Sequence, residues 1–317
     1  MMVPRRIILS RKGFDSTRTS GGCPSPIYPD GTMLSIPIPE PENPAHESHT
    51  RYSDLRRQGA MEFPRSLVTS PGHQIDLAGR KVHPDPDIRP ELRPAFASED
   101  CEKLLLFGQD GRAQTELLNN EVGEGDLFLF FGWFKDARRD GDSVRFEGRA
   151  RNRIVGVAHV IWGWLQVEKS HLIKPEGDLP DELKCAGHHP HIEHRGYYNN
   201  NCIYEASPTL SFCEKIAGAG IFERYDAALR LTSEWEARRS YWTLPTFFRE
   251  AGLTHHGSGT AFDLANWEAQ GEFIHGRSAS CIPGQEFVMK TDGVNDKVKR
   301  EIETWLESIF KHAKKSN

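Results

Sequence analysis

Long apolar runs are missing from this chain. Nowhere among its 317 residues do 18 apolar residues follow one another, and length alone then excludes a membrane-spanning helix from the reading. The first apolar stretch, Ile7-Ile8-Leu9, is too short for a signal peptide despite the basic residues before it. A cytoplasmic protein with no membrane partner is expected. Surplus positive charge is missing too, since 40 Lys and Arg stand against 45 Asp and Glu, a formal net charge of −5. Any hold on nucleic acid must come from local patches. Cysteine is sparse. The six (Cys23, Cys101, Cys185, Cys202, Cys213, Cys281) form no C-x-x-C pair and no spacing of a zinc ribbon or disulfide framework. Reduced thiols are expected. The chain also lacks G-x-x-x-x-G-K-[ST], G-x-G-x-x-G and H-E-x-x-H, so no standard phosphate loop or zinc helix accounts for it.

Proline and glycine are plentiful, at 20 and 28 residues, while apolar residues make up 37%. That combination predicts a modest core wrapped in irregular loops, and the length suits two modules or one large domain. Ile7–Ser10 reads as a short buried strand, and residues 64–100 as ordered loop. Leu127–Phe131 and Ile154–Val167 read as longer strands, the second broken at Gly163, with a charged hairpin over 135–153 between them. Cys202–Ala206 reads as another strand. Short helices are expected at Tyr52–Gln58, Tyr225–Leu231 and Trp242–Glu250. Over 295–315, Val298, Ile302, Trp305, Leu306, Ile309 and Phe310 fall on one helical face, as in a packing helix. The fold class expected is α+β, with a mixed, strongly curved sheet or small barrel, flanking loops and helices, and a C-terminal amphipathic helix. The main domain is placed at 1–275 with its strand core at about 120–206, and linker plus packing helix at 276–317.

Three segments carry candidate chemistry. Arg11-Lys12 at a strand end, followed by Asp15-Ser16 and Gly21-Gly22, can turn cationic groups and backbone N–H onto a phosphate, or can be a structural loop. His83-Pro84-Asp85-Pro86-Asp87 offers an imidazole and two carboxylates stiffened by proline, on one side of an extended strand by alternation. They suit acid–base chemistry, a metal, or a solvated turn. His188, His189, His191 and His194 crowd into seven positions, with Asn199, Asn200 and Asn201 after them. Metal binding, substrate contact and a surface loop all fit. Trp133, Phe134, Trp162 and Trp164 flank the central strands beside His159. The 135–153 segment holds Lys135 and Arg138, Arg139, Arg145, Arg149, Arg151 and Arg153 against four acids, the mixture a base-stacking, phosphate-gripping surface needs; core packing is the other use for the tryptophans.

The strings RIILSRKGFDS, GGCPSPIYPDGTMLSIPIPEP, HPDPDI, GDLFLFFGWF, HVIWGWLQV and HPHI…NNNCIYEA resemble the third nucleotide-modification-associated domain family, over about residues 5–275. GDLFLFF with RIVGVAHVIWGW is similar to the core of PUA-like barrels, the ASCH and EVE relatives, which bind RNA or modified bases. The first resemblance implies work on or beside modified bases in DNA, with neighbouring base-modification enzymes as partners. It supplies no cofactor and no metal. The positions matching its strings are Arg11, Lys12, Asp15, Pro24, Ser25, Asp30, His83, Asp85, Asp87, Trp133, His159, Trp162, His191 and Asn201. Among them, Asp15, His83, Asp85 and His191 are the candidate catalytic groups. Arg11, Lys12, Ser25, Trp133, His159, Trp162 and Asn201 are the candidate substrate and phosphate contacts. The expected function is an enzyme acting on a nucleotide or a hypermodified DNA base. The alternatives are a non-catalytic base-binding module and a metal-dependent hydrolase or nuclease of a defence system. All of this requires Lys12, Asp85 and His191 to share one cleft.

Overall fold

The computed structural model describes all residues except 1–2, 16–20, 41–49, 56–62, 71, 95–96, 148–155, 194, 196–198, 236–237, 256–263, 279–285, 312 and 314–317. His194, Cys281, Lys314, Lys315 and the arginines at 149, 151 and 153 thus lie outside the described residues, as do residues 56–58 of the helix expected at 52–58, of which Tyr52–Asp54 form a 3₁₀ turn.

The amino-terminal half contributes β1 (Arg6–Arg11), β2 (Ser25–Ile27), β3 (Ser66–Ser70), β4 (His73–Asp76), β5 (Leu106–Gln109) and α1 (Gly111–Asn119). The long central strands are β6 (Leu127–Asp140) and β8 (Val157–Leu172), with β7 (Ser143–Phe146) between them. A four-residue helix α2 (Pro190–Glu193) leads to β9 (Cys202–Ala206) and the short strands β10 (Thr209–Leu210), β11 (Cys213–Ala217) and β12 (Ala219–Ile221). Then follow β13 (Tyr241–Pro245), α3 (Phe247–Ala251), β14 (Thr254–His255), β15 (Glu268–Gln270) and β16 (Phe273–Arg277). The chain closes with β17 (Glu286–Lys290) and α4 (Asp296–Phe310).

β6 is the spine. Its run of Leu127 to Phe131 is buried on both faces, as a near-continuous apolar string requires. It pairs in parallel with β1 and antiparallel with β8, and β17 lies antiparallel on the far side of β1. The sheet runs in the order β14-β17-β1-β6-β7-β3-β4. That path stays open, so the expected barrel does not form; β7, β3 and β4 extend the sheet outward where closure would need them to turn back. β8 outruns β6 and pairs its last residues with β9, which pairs β5. Phe107 of β5 meets Phe128 and Phe130 of β6 at 4.9 and 5.1 Å between ring centroids, and Tyr204 of β9 meets Phe128 at 5.0 Å. The glycine break at Gly163 is real: the β6–β8 register slips between Phe130 and Phe131, leaving Trp162 as the extra residue.

Other expectations need correction. Residues 64–100 hold the hairpin β3–β4 as well as loop. Trp242–Glu250 begins as a strand, because Trp242 and Leu244 alternate inward and pair with β16 before the chain turns into α3. Tyr225–Leu231 forms only a 3₁₀ turn at Ala227–Leu229. Segment 276–317 supplies β17 in addition to its helix. α4 begins on Asn295, whose side-chain oxygen accepts from Lys297 and Val298 N–H at 3.0 Å each, a standard N-cap. It buries Val298, Ile302, Leu306, Ile309 and Phe310. Cys101 and Cys185 form a disulfide, against the expectation of reduced thiols throughout; 84 residues of separation hide a proximity that only the fold creates. Cys23, Cys202 and Cys213 are free.

Candidate functional site

Successive strand residues point to opposite faces, and this splits the cationic pair at the end of β1. Ser10 pairs with Glu286 of β17, and its Oγ donates to Glu286 Oε1 at 2.9 Å. Lys12, two residues on, faces the same way. Its backbone N–H still bonds Phe131 O at 2.8 Å, and its Nζ stands 3.8 Å from Glu286 Oε1, 3.9 Å from Asp85 Oδ2 and 4.4 Å from the Phe107 ring centre. Arg11 faces the other way, in an ion pair with Asp15. The two cations do not grip one ligand together.

The Lys12 side is where the proline-braced acids and the histidines meet. Asp85 is 6% exposed and its Oδ1 accepts from Gly108 N–H at 2.7 Å, with His189 Nε2 3.4 Å away. His83 donates Nδ1–H to Glu40 Oε2 at 3.0 Å. His191 sits on α2, its Nδ1 2.9 Å from Asn201 Oδ1, while Asn201 Nδ2 donates to His191 O at 2.6 Å. The His83 and His191 rings lie edge to face at 5.2 Å. One ring nitrogen each from His83 and His191 and one oxygen of Asp85 lie within 4.8 Å of one another. Lys12, His83, Asp85, His191 and Asn201, drawn from separate stretches of sequence, therefore lie together in one largely buried cluster. A glycine makes room for it: a Cβ on Gly108 would stand 2.3 Å from the His191 ring.

Burial sets the charges here. It pulls His191 down to about 3, partly opposed by Asp85. Burial would raise the Asp85 carboxyl, but the His189 contact and the Lys12 and His191 charges win and hold it well below the usual range. Burial likewise depresses His83, yet the bond and charge of Glu40 outweigh it and raise the imidazole. Glu286 is pushed up to about 7 by burial, which Lys12 only partly offsets. A carboxyl near neutrality beside a fixed carboxylate is a pair with divided acid and base roles.

The remaining candidates go elsewhere. Asp87 does not stay beside Asp85, because its backbone bridges to Leu106; its carboxylate takes Arg93 Nε at 2.9 Å and His188 Nε2 at 3.1 Å. That is a buried structural knot. On the opposite face Arg239 lies 3.8 Å from Asp15 and 4.1 Å above the Trp133 ring. His159, paired with Trp133 across β6–β8, accepts from Trp242 Nε1–H at 2.9 Å. Burial, then Arg11 and Arg239, hold His159 well below the usual range, so it is a neutral core imidazole. Ser25 Oγ accepts from Ile36 N–H at 3.1 Å, a backbone-holding role. Trp162 is 2% exposed, with the Arg89 guanidinium 5.4 Å from its ring centre; together with Tyr28, Arg138, Arg139 and Arg224 they line a groove of about 1070 Å³.

Sequence reasoning missed Glu286, Glu40, Gly108 and Phe107. Glu286 had a signal, an acid opening the apolar run Glu286-Phe287-Val288-Met289. Glu40 had none, lying in a proline-rich stretch where any acid reads as solvated.

No curated protein and no solved structure matches the chain. The family model described as nucleotide modification associated domain 3 matches residues 6–290, a span that includes every group in the Lys12 cleft, and the chain belongs to that family.

Proposed function

We propose that the chain is an enzyme of nucleotide or DNA-base modification and that the cleft of Lys12, His83, Asp85, His191 and Glu286 is its active site. The observation that supports this best is a pair of buried carboxyl groups on either side of one ammonium, driven apart in acidity. Lys12 Nζ stands 3.9 Å from Asp85 and 3.8 Å from Glu286; Asp85 is held well below the usual range, while burial pushes Glu286 up to about 7. Groups kept in that condition, with pKa values driven apart, mark functional sites more often than structural ones. In this reading Lys12 receives an anionic or carbonyl oxygen of the substrate. Glu286, titrating near neutrality, moves a proton. Asn201 positions His191.

The test compares nucleosides, by mass spectrometry, in DNA and in the soluble pool of cells carrying the wild-type chain with its neighbouring genes or the Lys12→Met variant. A modified nucleoside present with wild type and reduced at least tenfold with the variant supports the reading. Identical profiles from cells with and without the chain would sink it.

A second reading, recognition of a modified base without chemistry, draws on the groove where Arg138 and Arg139 border Trp162. It expects binding to modified DNA that weakens steeply as salt rises; fluorescence anisotropy showing no binding at low salt removes it.

A further inference from the structure

We propose that His83, Asp85 and His191 form a three-ligand site for one divalent transition-metal ion in the same cleft. The catalytic use of that ion rests on the reading above; its binding does not.

The first argument is tautomeric. A carboxylate can only accept, so Glu40 fixes the proton of His83 on Nδ1. Asn201 is oriented by its own amide bond to His191 O, which leaves Oδ1 facing the ring, so His191 also carries its proton on Nδ1. In its neutral form each imidazole then offers an Nε2 lone pair; on His83 a metal ion takes the place of the second proton that Glu40 favours. Tethering one ring nitrogen to an oxygen while the other stays available is the outer-shell arrangement that orients metal-ligating histidines.

The second argument is the set itself. Metal bonds of about 2.0–2.2 Å bring ligand atoms to roughly 3 Å of one another, so a set already within 4.8 Å needs small side-chain rotations. Asp85 cannot drift, because Gly108 N–H holds one of its oxygens. Two imidazoles and one carboxylate suit borderline divalent ions of the first transition row rather than Mg²⁺ or Ca²⁺, which favour all-oxygen shells. Three protein ligands also leave positions for water or substrate, with Lys12 beside them.

The third argument is charge. Glu40, Asp85 and Glu286 surround the group, with Lys12 as the facing cation. A dication placed among them meets an acidic surround.

The experiment uses tag-free full-length protein, titrated with Co²⁺ and Mn²⁺, with bound metal measured after buffer exchange and Co²⁺ followed by its visible absorption. One ion per chain is expected. His83→Gln and His191→Gln should each weaken binding at least tenfold, Asn201→Ala roughly 10–100-fold. His171→Gln, which removes an unrelated contact to Glu205, should change nothing. Circular dichroism keeps misfolded variants out of the comparison. Absence of stoichiometric ion in wild type, or equal binding by His83→Gln, overturns the inference. The nucleoside assay separates it from the function: a product that survives chelation removes the ion's catalytic use and leaves the enzyme, and tight metal with unchanged nucleosides keeps the ion and removes the enzyme.

Discussion

The two faces of the sheet at the end of β1 hold similar residues and reach opposite outcomes. On one face Arg11 and Arg239 both lie against Asp15, Trp133 stacks on Arg239, and His159 is capped by Trp242. On the other, Lys12 stands between two carboxylates at 3.9 and 3.8 Å, and both nearby imidazoles have Nδ1 tied to an oxygen. Residue type does not distinguish these faces; what surrounds each group does. On the Arg11 face the imidazole is packed among rings and held neutral, whereas the Lys12 face gathers carboxyl groups and imidazoles of differing acidity around one ammonium.

The sharpest way to break the comparison is Gly108→Ala. Its methyl group would collide with the His191 ring, so nucleoside product and metal affinity should each fall at least a hundredfold, while the Trp242–His159 bond on the far face survives. Overpacking should cost about 1–3 kcal/mol of stability, read by urea unfolding. His159→Ala should do the opposite, costing about 2–4 kcal/mol through a cavity and a lost bond with product per folded molecule unchanged. Acid should expose the same group more gently. His159 stays neutral when folded, whereas the unfolded chain gains its proton below about pH 6.5. Stability contributed by its neutral burial is therefore complete above that pH and falls on acidification, by at most about 1.4 kcal/mol per pH unit; His159→Gln should flatten the profile, and an unchanged profile would remove His159 from the account. The smallest effect belongs to Ser25→Ala, about 1 kcal/mol for one buried bond and no change in product, against its expected role as a phosphate contact.

Legibility in the sequence followed the range of each signal. Strands β1, β6, β8 and β9 and helix α4 were readable because their apolar periods are local. The group His83, Asp85 and His191 was readable by residue type, since proline-braced acids and clustered histidines are anomalous in themselves. What failed was direction. Expecting Arg11 to work with Lys12, and Asp87 with Asp85, ignores strand alternation in the first case and the backbone bridge to Leu106 in the second. The barrel expectation failed because strand content says nothing of which edges meet. Glu40 and the Cys101–Cys185 bond depend on long-range proximity, which spacing does not encode.

That sulfur bond has a mechanical consequence. Asp87 holds Arg93, Arg93 donates to Cys101 O at 2.6 Å, Cys101 is bonded to Cys185, and His188, three residues further on, returns to Asp87 at 3.1 Å. The circuit is a clasp, and one of its links is covalent. Asp85 and His191 hang just beside the two ends of it, so a thiol reductant acting at that distant link would loosen the grip between the acidic half of the cleft and its imidazole half without touching either.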